Sequence, residues 1–174
     1  MDNITILQSS QVSWTDYKKL RLRALKDDPQ AFGSSYEKEK KETDQTWQNR
    51  LESYKRGSSD WMVFAGNKDK LVGMVGAWQS EENRKINTAK IIAMFVASEV
   101  RGKGISKLLI SGLLDMLTTT TPIERVQLNV NSDQIVAVNL YKRMGFTIVE
   151  KSNMLLGDGK YHDEYLMEKQ LRQG

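Results

Sequence analysis

Apolar residues recur along this chain with two different periods, and the switches between them mark out its elements. Ile4 to Leu7 is short and β-branched, as a strand requires. Ser13-Trp14-Thr15-Asp16 then has the spacing of a helix-capping box, and Tyr17, Leu20, Ala24 and Leu25 follow at helical intervals until Asp27-Asp28-Pro29 ends the element. Residues Ala31 to Ser35 read as loop, and the charged run Glu37 to Glu42 as a solvated face. Trp47, Leu51 and Tyr54 predict a second helix with Gly57 as its stop. From Trp61 the period shortens. Trp61 to Ala65 and Leu71 to Trp78 predict two antiparallel strands joined by Gly66-Asn67-Lys68-Asp69-Lys70. Polar Ser80 to Asn87 reads as a loop leading into Ala89 to Val96, a near-continuous apolar run expected of a central strand.

The second half repeats the alternation. Leu108, Leu109, Leu113, Met116 and Leu117 predict a helix that ends in the threonines and proline of Thr118 to Pro122. Val126, Leu128 and Val130 alternate with Gln127, Asn129 and Asn131, which describes a strand with one polar face. Ser132 or Asp133 is placed to cap a helix whose apolar face is Val136, Leu140 and Met144, and Gly145 supplies its left-handed stop. Phe146 returns to strand, and Met154 to Leu156 with Tyr161 to Met167 forms a terminal hairpin about Gly157-Asp158-Gly159-Lys160. The order predicts an α/β fold, a mixed sheet with helices on both faces. One strand-helix-strand unit places the turn Arg101 to Ser106 at the carboxyl end of a central strand, where open sheets bind ligands.

Composition narrows the class. A chain of 174 residues without internal repeats or a linker reads as one domain, residues 1–174. Its 39% hydrophobic and 28% charged residues are those of an ordinary soluble protein. No run has the length of a membrane span, and Met1 to Leu7 lacks the pattern of a secretory signal, so a cytoplasmic location is expected. The absence of cysteine excludes disulfides, thiolate metal sites and a cysteine nucleophile. A net charge of +4 unaccompanied by any nucleic-acid motif gives no reason to expect nucleic-acid binding.

The chemistry concentrates in Arg101-Gly102-Lys103-Gly104-Ile105-Ser106. Two glycines one residue apart let backbone approach a ligand, and the helix start beyond them presents unpaired N–H groups to an anion. Arg101, Lys103 and Lys107 add cations. A lone Gly-x-Gly also serves as a plain strand-to-helix turn.

Taken with Ala137-Val138-Asn139-Leu140-Tyr141-Lys142-Arg143-Met144-Gly145-Phe146, the segment Val96 to Ile105 resembles the GNAT superfamily of acetyl-CoA-dependent N-acetyltransferases. Both motifs, their order and the order of elements over nearly the whole chain match that family. The resemblance implies a central, mostly antiparallel mixed sheet in which one strand pair splays apart. It implies acetyl-CoA as cosubstrate, with the pyrophosphate on the backbone of Arg101, Gly102, Lys103, Gly104, Ile105 and Ser106 and the pantetheine along Met94, Phe95 and Val96. Ser106 stands where the family has Gly or Ala, and its hydroxyl is a further donor. Gln134, in place of a common asparagine, and Asn139 are implied cofactor contacts. Tyr141 matches the tyrosine that protonates the departing sulfur, a role suited to a phenol of pKa ~10 facing a thiol near ~8.5.

The general base is left open. The histone-acetylating branch carries a glutamate where this chain has Lys90, which argues against that branch's base. His162, Asp163 and Glu164 are alternatives. An amine of pKa ~10.4 costs about 4.6 kcal/mol to deprotonate at pH 7, whereas an α-amine near ~7.8 costs about 1 and needs only water. Family resemblance places the acceptor pocket at Phe32, Gly33, Ser34, Ser35 and Tyr36, with Trp78 and Tyr161 as walls. The expected function is acetyl transfer to a primary amine of a small molecule or peptide by direct attack in a ternary complex, without metal; the alternative is a CoA-binding module that senses without transfer. A homodimer is plausible by resemblance.

Overall fold

Capping chemistry starts the first helix where the sequence predicts it. The computed structural model describes residues 4–67 and 69–172; Met1 to Asn3, the start of the segment without a secretory pattern, and Lys68, in the turn predicted at Gly66 to Lys70, lie outside them. Helix α1 (Trp14–Asp27) begins where the Ser13 hydroxyl accepts the Asp16 N–H, and α3 (Asp44–Arg56) begins on Thr43 in the same way. Gly57, at φ +60°, ends α3. Between them α2 (Tyr36–Glu39) is a single turn capped by Ser35. Tyr17 of α1 meets Trp47 and Tyr54 of α3 edge-on at 5.6 and 5.7 Å, which locks the two helices together.

The seven strands among the described residues lie in one sheet. In chain order they are β1 (Thr5–Gln8), β2 (Asp60–Gly66), β3 (Leu71–Trp78), β4 (Thr88–Val96), β5 (Arg125–Asn131), β6 (Thr147–Leu155) and β7 (Tyr161–Gln170), and in space β1-β2-β3-β4-β5-β7-β6. Only β4 and β5 run parallel, joined over helix α5 (Ile105–Thr120). β2 and β3 are buried on both faces: Phe64 packs on Tyr17 of α1, while Gly73 backs onto Leu109 of α5. The core therefore lies on both sides of the first four strands, and β6 is an exposed edge.

Two irregularities set the course of β4 through the sheet. It pairs with β5 only over Thr88 to Lys90, against Arg125 to Gln127, after which the strands diverge. At the same level the β3–β4 register slips between Met74 and Gly76, and Ala93 takes a left-handed φ of +56°. A non-glycine residue in that region costs about 1 kcal/mol.

The structure differs from expectation in four places. Ser80 to Asn87 contains a one-turn helix, α4 (Glu81–Arg84), because the Ser80 hydroxyl caps Asn83. Helix α6 (Ile135–Arg143) is not capped by Ser132 or Asp133; the Asn131 side chain accepts the Asp133 N–H at 2.9 Å and turns the chain into the helix. Of its expected apolar face, Leu140 and Met144 pack partly buried against the core but Val136 is 83% exposed; the fully buried residues are Val138 and Tyr141, whose ring meets Phe146 edge-on at 5.7 Å. The Glu37–Glu42 run is not wholly solvated. Glu39 is buried between Arg21, bidentate at 2.7 and 3.1 Å, and Arg50 at 3.1 Å.

Burial raises the proton affinity of Glu39, but the Arg21 guanidinium, aided by Ser34 and Arg50, outweighs it and holds the carboxyl below its ordinary range. The ion cluster's stabilisation is thus present above the unfolded pKa of about 4.3 and is lost as pH falls through the lower folded value. Glu39→Gln leaves two guanidiniums facing a neutral amide and is expected to cost about 3 kcal/mol in urea unfolding at neutral pH. At pH 3 the gap between variant and wild type should narrow.

Candidate active site

The divergence of β4 from β5 opens the sheet, and the chain lines the opening from both sides. Arg101 to Gly104 follow β4, with Gly102 at φ +76° and Gly104 at φ +80°. No atom lies within 4 Å of where a Cβ would stand on either, so the turn faces open space. Gly104 is the N-cap of α5, and no side chain caps that helix start. Its first N–H groups therefore point outward without a side-chain partner, as an anion cradle requires.

This loop is tied to α1. Arg23 holds Glu99 with two bonds at 2.6 and 2.9 Å, and Lys70 reaches the same carboxylate at 3.0 Å. These partners hold Glu99 well below the ordinary carboxylate range. The Arg101 Nε donates to the Val96 carbonyl at 2.9 Å, and its guanidinium pairs with Asp28. In this arrangement Arg101 fixes the entry to the turn rather than pointing out of it.

Two clefts meet at the opening. One, of about 380 Å³, runs from Arg101 and Ser106 past Met94, Phe95 and Val96 to Gln134 and the α6 face. The other, of about 360 Å³, lies between the β4–β5 gap and a roof formed by Phe32, Gly33 and Leu155–Leu156. Ala31, Met94, Gln134, Ala137 and Tyr141 line both. The roof is closed by a backbone contact. Gly157 N–H donates to the Phe32 carbonyl at 2.6 Å, and a Cβ on Gly157 would stand 2.3 Å from the Ser34 carbonyl, so only glycine lets the hairpin turn seat there.

Tyr141 occupies the junction. It is 6% exposed, and burial pushes its phenol up to about 12. At neutral pH it is therefore uncharged and carries a proton to donate. Glu164, on β7, is buried on the wall of the second cleft, where burial holds its carboxyl above the ordinary range against the opposing influence of Asn129 and Lys90. Its two neighbours are placed otherwise. Asp163 points to the outer face, held by Asn153 at 3.0 Å and Lys151 at 3.1 Å. His162 is engaged by Asn131 and Asp158, each at 2.9 Å.

Of the sequence-predicted residues, Met94, Phe95, Val96, Arg101, Ser106, Gln134 and Tyr141 come together on the first cleft, with Phe32 and Gly33 on the second. Lys103, Gly104 and Ile105 line a neighbouring depression on the far side of the turn, and Gly102 is exposed at its tip. Asn139 is exposed on α6 away from both clefts. Ser34 helps to favour the charged form of Glu39, Ser35 caps α2, and the Tyr36 ring lies under Lys40. Trp78, 42% exposed at the far end of β3, and Tyr161, 70% exposed, line neither cleft. Sequence reasoning missed Asn129, Asn131, Leu155 and Leu156. The polar alternation of β5 carried the signal for the two asparagines, but which cavity that face borders depends on the splay. Among the described residues no cluster of metal-ligating side chains occurs, and no helix is long and apolar enough to cross a membrane.

Residues 21–146 match the model of the acetyltransferase (GNAT) family. No curated protein matches the sequence. Solved structures are similar over almost the whole chain. A GNAT-family acetyltransferase of Streptococcus pneumoniae superposes with a TM-score of 0.79 at 19% identity, covering 97% of this chain and 99% of that one. The yncA protein of Salmonella typhimurium, solved with its cofactor acetyl-CoA, gives 0.81 at 16% identity over 99% and 96%. The spermidine N-acetyltransferase of Vibrio cholerae, solved with CoA and spermine, gives 0.74 at 19% over 97% and 95%. At these identities the structures establish the fold, and the family model, which spans well over half of the sequence, establishes descent: the chain belongs to the acetyltransferase (GNAT) family.

Proposed function

We propose that this chain transfers the acetyl group of acetyl-CoA to a primary amine by direct attack in a ternary complex. The observation that carries the proposal is the position of Tyr141, buried where the first cleft meets a second cavity. The residues present fit the cosubstrate. The uncapped start of α5 and the open left-handed glycines suit a pyrophosphate, and the first cleft gives Met94 to Val96 a free strand edge for an amide-bearing arm. Ser106 and Gln134 add hydrogen-bonding side chains. When bound there, acetyl-CoA supplies an activated thioester carbonyl.

The chain's own groups supply the rest. Tyr141 keeps its proton at neutral pH and holds it at the Oη, available to a developing thiolate. Glu164 is ionised only above a raised pKa and takes a proton from an amine in the second cavity. The edge of β4 beyond Lys90, which β5 does not pair, leaves backbone donors for a carbonyl oxygen. The Gly157–Phe32 contact holds the hairpin turn over one side of the second cavity. A polyamine acetyltransferase is among the similar structures, which supports a small amine as acceptor.

Tyr141→Phe should lower kcat about 100-fold while the acetyl-CoA dissociation constant stays nearly unchanged; unaltered turnover removes the proton-donor role. Because Glu164 acts in its ionised form, kcat/KM should rise with pH through its raised pKa, and Glu164→Gln should lower kcat/KM and abolish that limb. Acetyl-CoA at a hundredfold excess over its dissociation constant should stabilise the protein by about 2.7 kcal/mol in thermal melts. Gly104→Asp puts a carboxylate on the amides of the α5 start and should erase that stabilisation while the protein remains folded. A wild-type protein indifferent to acetyl-CoA would overturn the proposed function.

A further inference from the structure

The second cavity carries charge of both signs, and the fold already satisfies part of it. Arg21 lines the wall, but its guanidinium is committed to Glu39 and lies 4.9 Å from the Phe32 ring. Lys90 and Glu164 remain, and neither forms an ion pair with any described residue. They come from opposite sides of β5: Lys90 stands level with Gln127, and Glu164 level with Asn131. Asn129 lies between those two positions on the same face of the strand. Its side chain favours the ionised form of Glu164, and its Oδ1 is buried with no partner.

Each of these loose ends specifies part of a ligand. A buried amide oxygen beside a carboxylate lacks a donor, which an amine provides. Lys90 has donors only, so its complement is an anion. A second ammonium on the ligand would meet Lys90 and find no second free carboxylate on the wall, which disfavours a polyamine. The roof held by Gly157 confines the space to about 360 Å³, the scale of a small molecule rather than a protein segment.

We propose that the acceptor is a free amino acid, whose carboxylate is taken by Lys90 and whose amine is presented to Glu164 and Asn129; this rests on the chain being an acetyltransferase. In the transfer the nitrogen–carbonyl carbon bond forms as the carbon–sulfur bond breaks. The acceptor's ammonium gives up two protons, one released to solvent through Glu164 and one ending on the thiol by way of Tyr141. The products are an N-acetylamino acid and CoA.

Pairs that differ by one carboxylate test this directly: lysine and cadaverine, ornithine and putrescine, tyrosine and tyramine, tryptophan and tryptamine, each scored by thiol release from acetyl-CoA with the full chain. The best substrate is expected to be an amino acid, with kcat/KM at least about tenfold above that of its decarboxylated partner. Lys90→Met should collapse that ratio toward one, chiefly through KM for the acid, and Lys90→Arg should retain most of it. Equal or faster transfer to the decarboxylated partners in the wild type overturns the inference whether or not the variants fold, and so does transfer to no member of any pair. Failure of the underlying acetyltransferase function has a separate signature: acetyl-CoA then gives no thermal stabilisation.

Discussion

The parting of β4 from β5 after three paired residues is the constraint on which the rest of the molecule depends. A continuous sheet would satisfy its backbone internally and present only side chains; this one leaves an unpaired strand edge inside the protein, where such groups are costly unless a ligand or water meets them. The slip of register against β3 and the left-handed Ala93 sit at the same level of β4, so the bend that produces the gap is built into the strand. Both clefts border this gap. Their shared residues, Tyr141 among them, stand where the strands diverge, which is why one side chain can serve both spaces.

Everything near the gap is braced from elsewhere. Helix α1 holds the loop before the glycine turn through Arg23–Glu99 and Asp28–Arg101, and it also carries Arg21, which with Arg50 anchors Glu39. The same stretch of chain continues into Phe32, whose carbonyl receives the Gly157 N–H and closes the roof. The α1 side of the fold thus positions the glycine turn at one end and the cavity roof at the other. Exposed ion pairs of this kind contribute little to stability individually, but several of them on one loop restrict its geometry. That restriction matters more here than their energy, because the amides at the α5 start serve an anion only if the turn holds its shape.

Much of this is legible in the sequence. Strand and helix periods, the Ser13 cap, the stops at Gly57 and Gly145, and the Arg101–Gly104 turn are set by residues within a few positions of one another, and local chemistry decides them. The order of the two motifs is enough to indicate the family. What cannot be read is any property that depends on which partner arrives from far along the chain. Glu39 looks like one acid in a solvated run, and only Arg21 and Arg50 make it a buried ion. On α6, Leu140 and Met144 pack against the core as their spacing suggests, but the fully buried positions are Val138 and Tyr141, and Val136 is exposed.

The choice among His162, Asp163 and Glu164 shows the division most clearly. Sequence places all three at the start of one strand and supplies each with a group able to accept a proton. Pairing with β5 decides that Glu164 turns into the cavity and Asp163 away from it, and the contacts with Asn131 and Asp158 occupy His162. The unpaired Oδ1 of Asn129 and the unneutralised Lys90 are likewise products of register. Sequence alone determined the elements, the glycine turn and the family, because these rest on near neighbours and on motif order. The tertiary structure alone decided which charges are buried, which are satisfied and which face the gap, because burial and pairing are properties of contacts between segments that the chain brings together only when it folds.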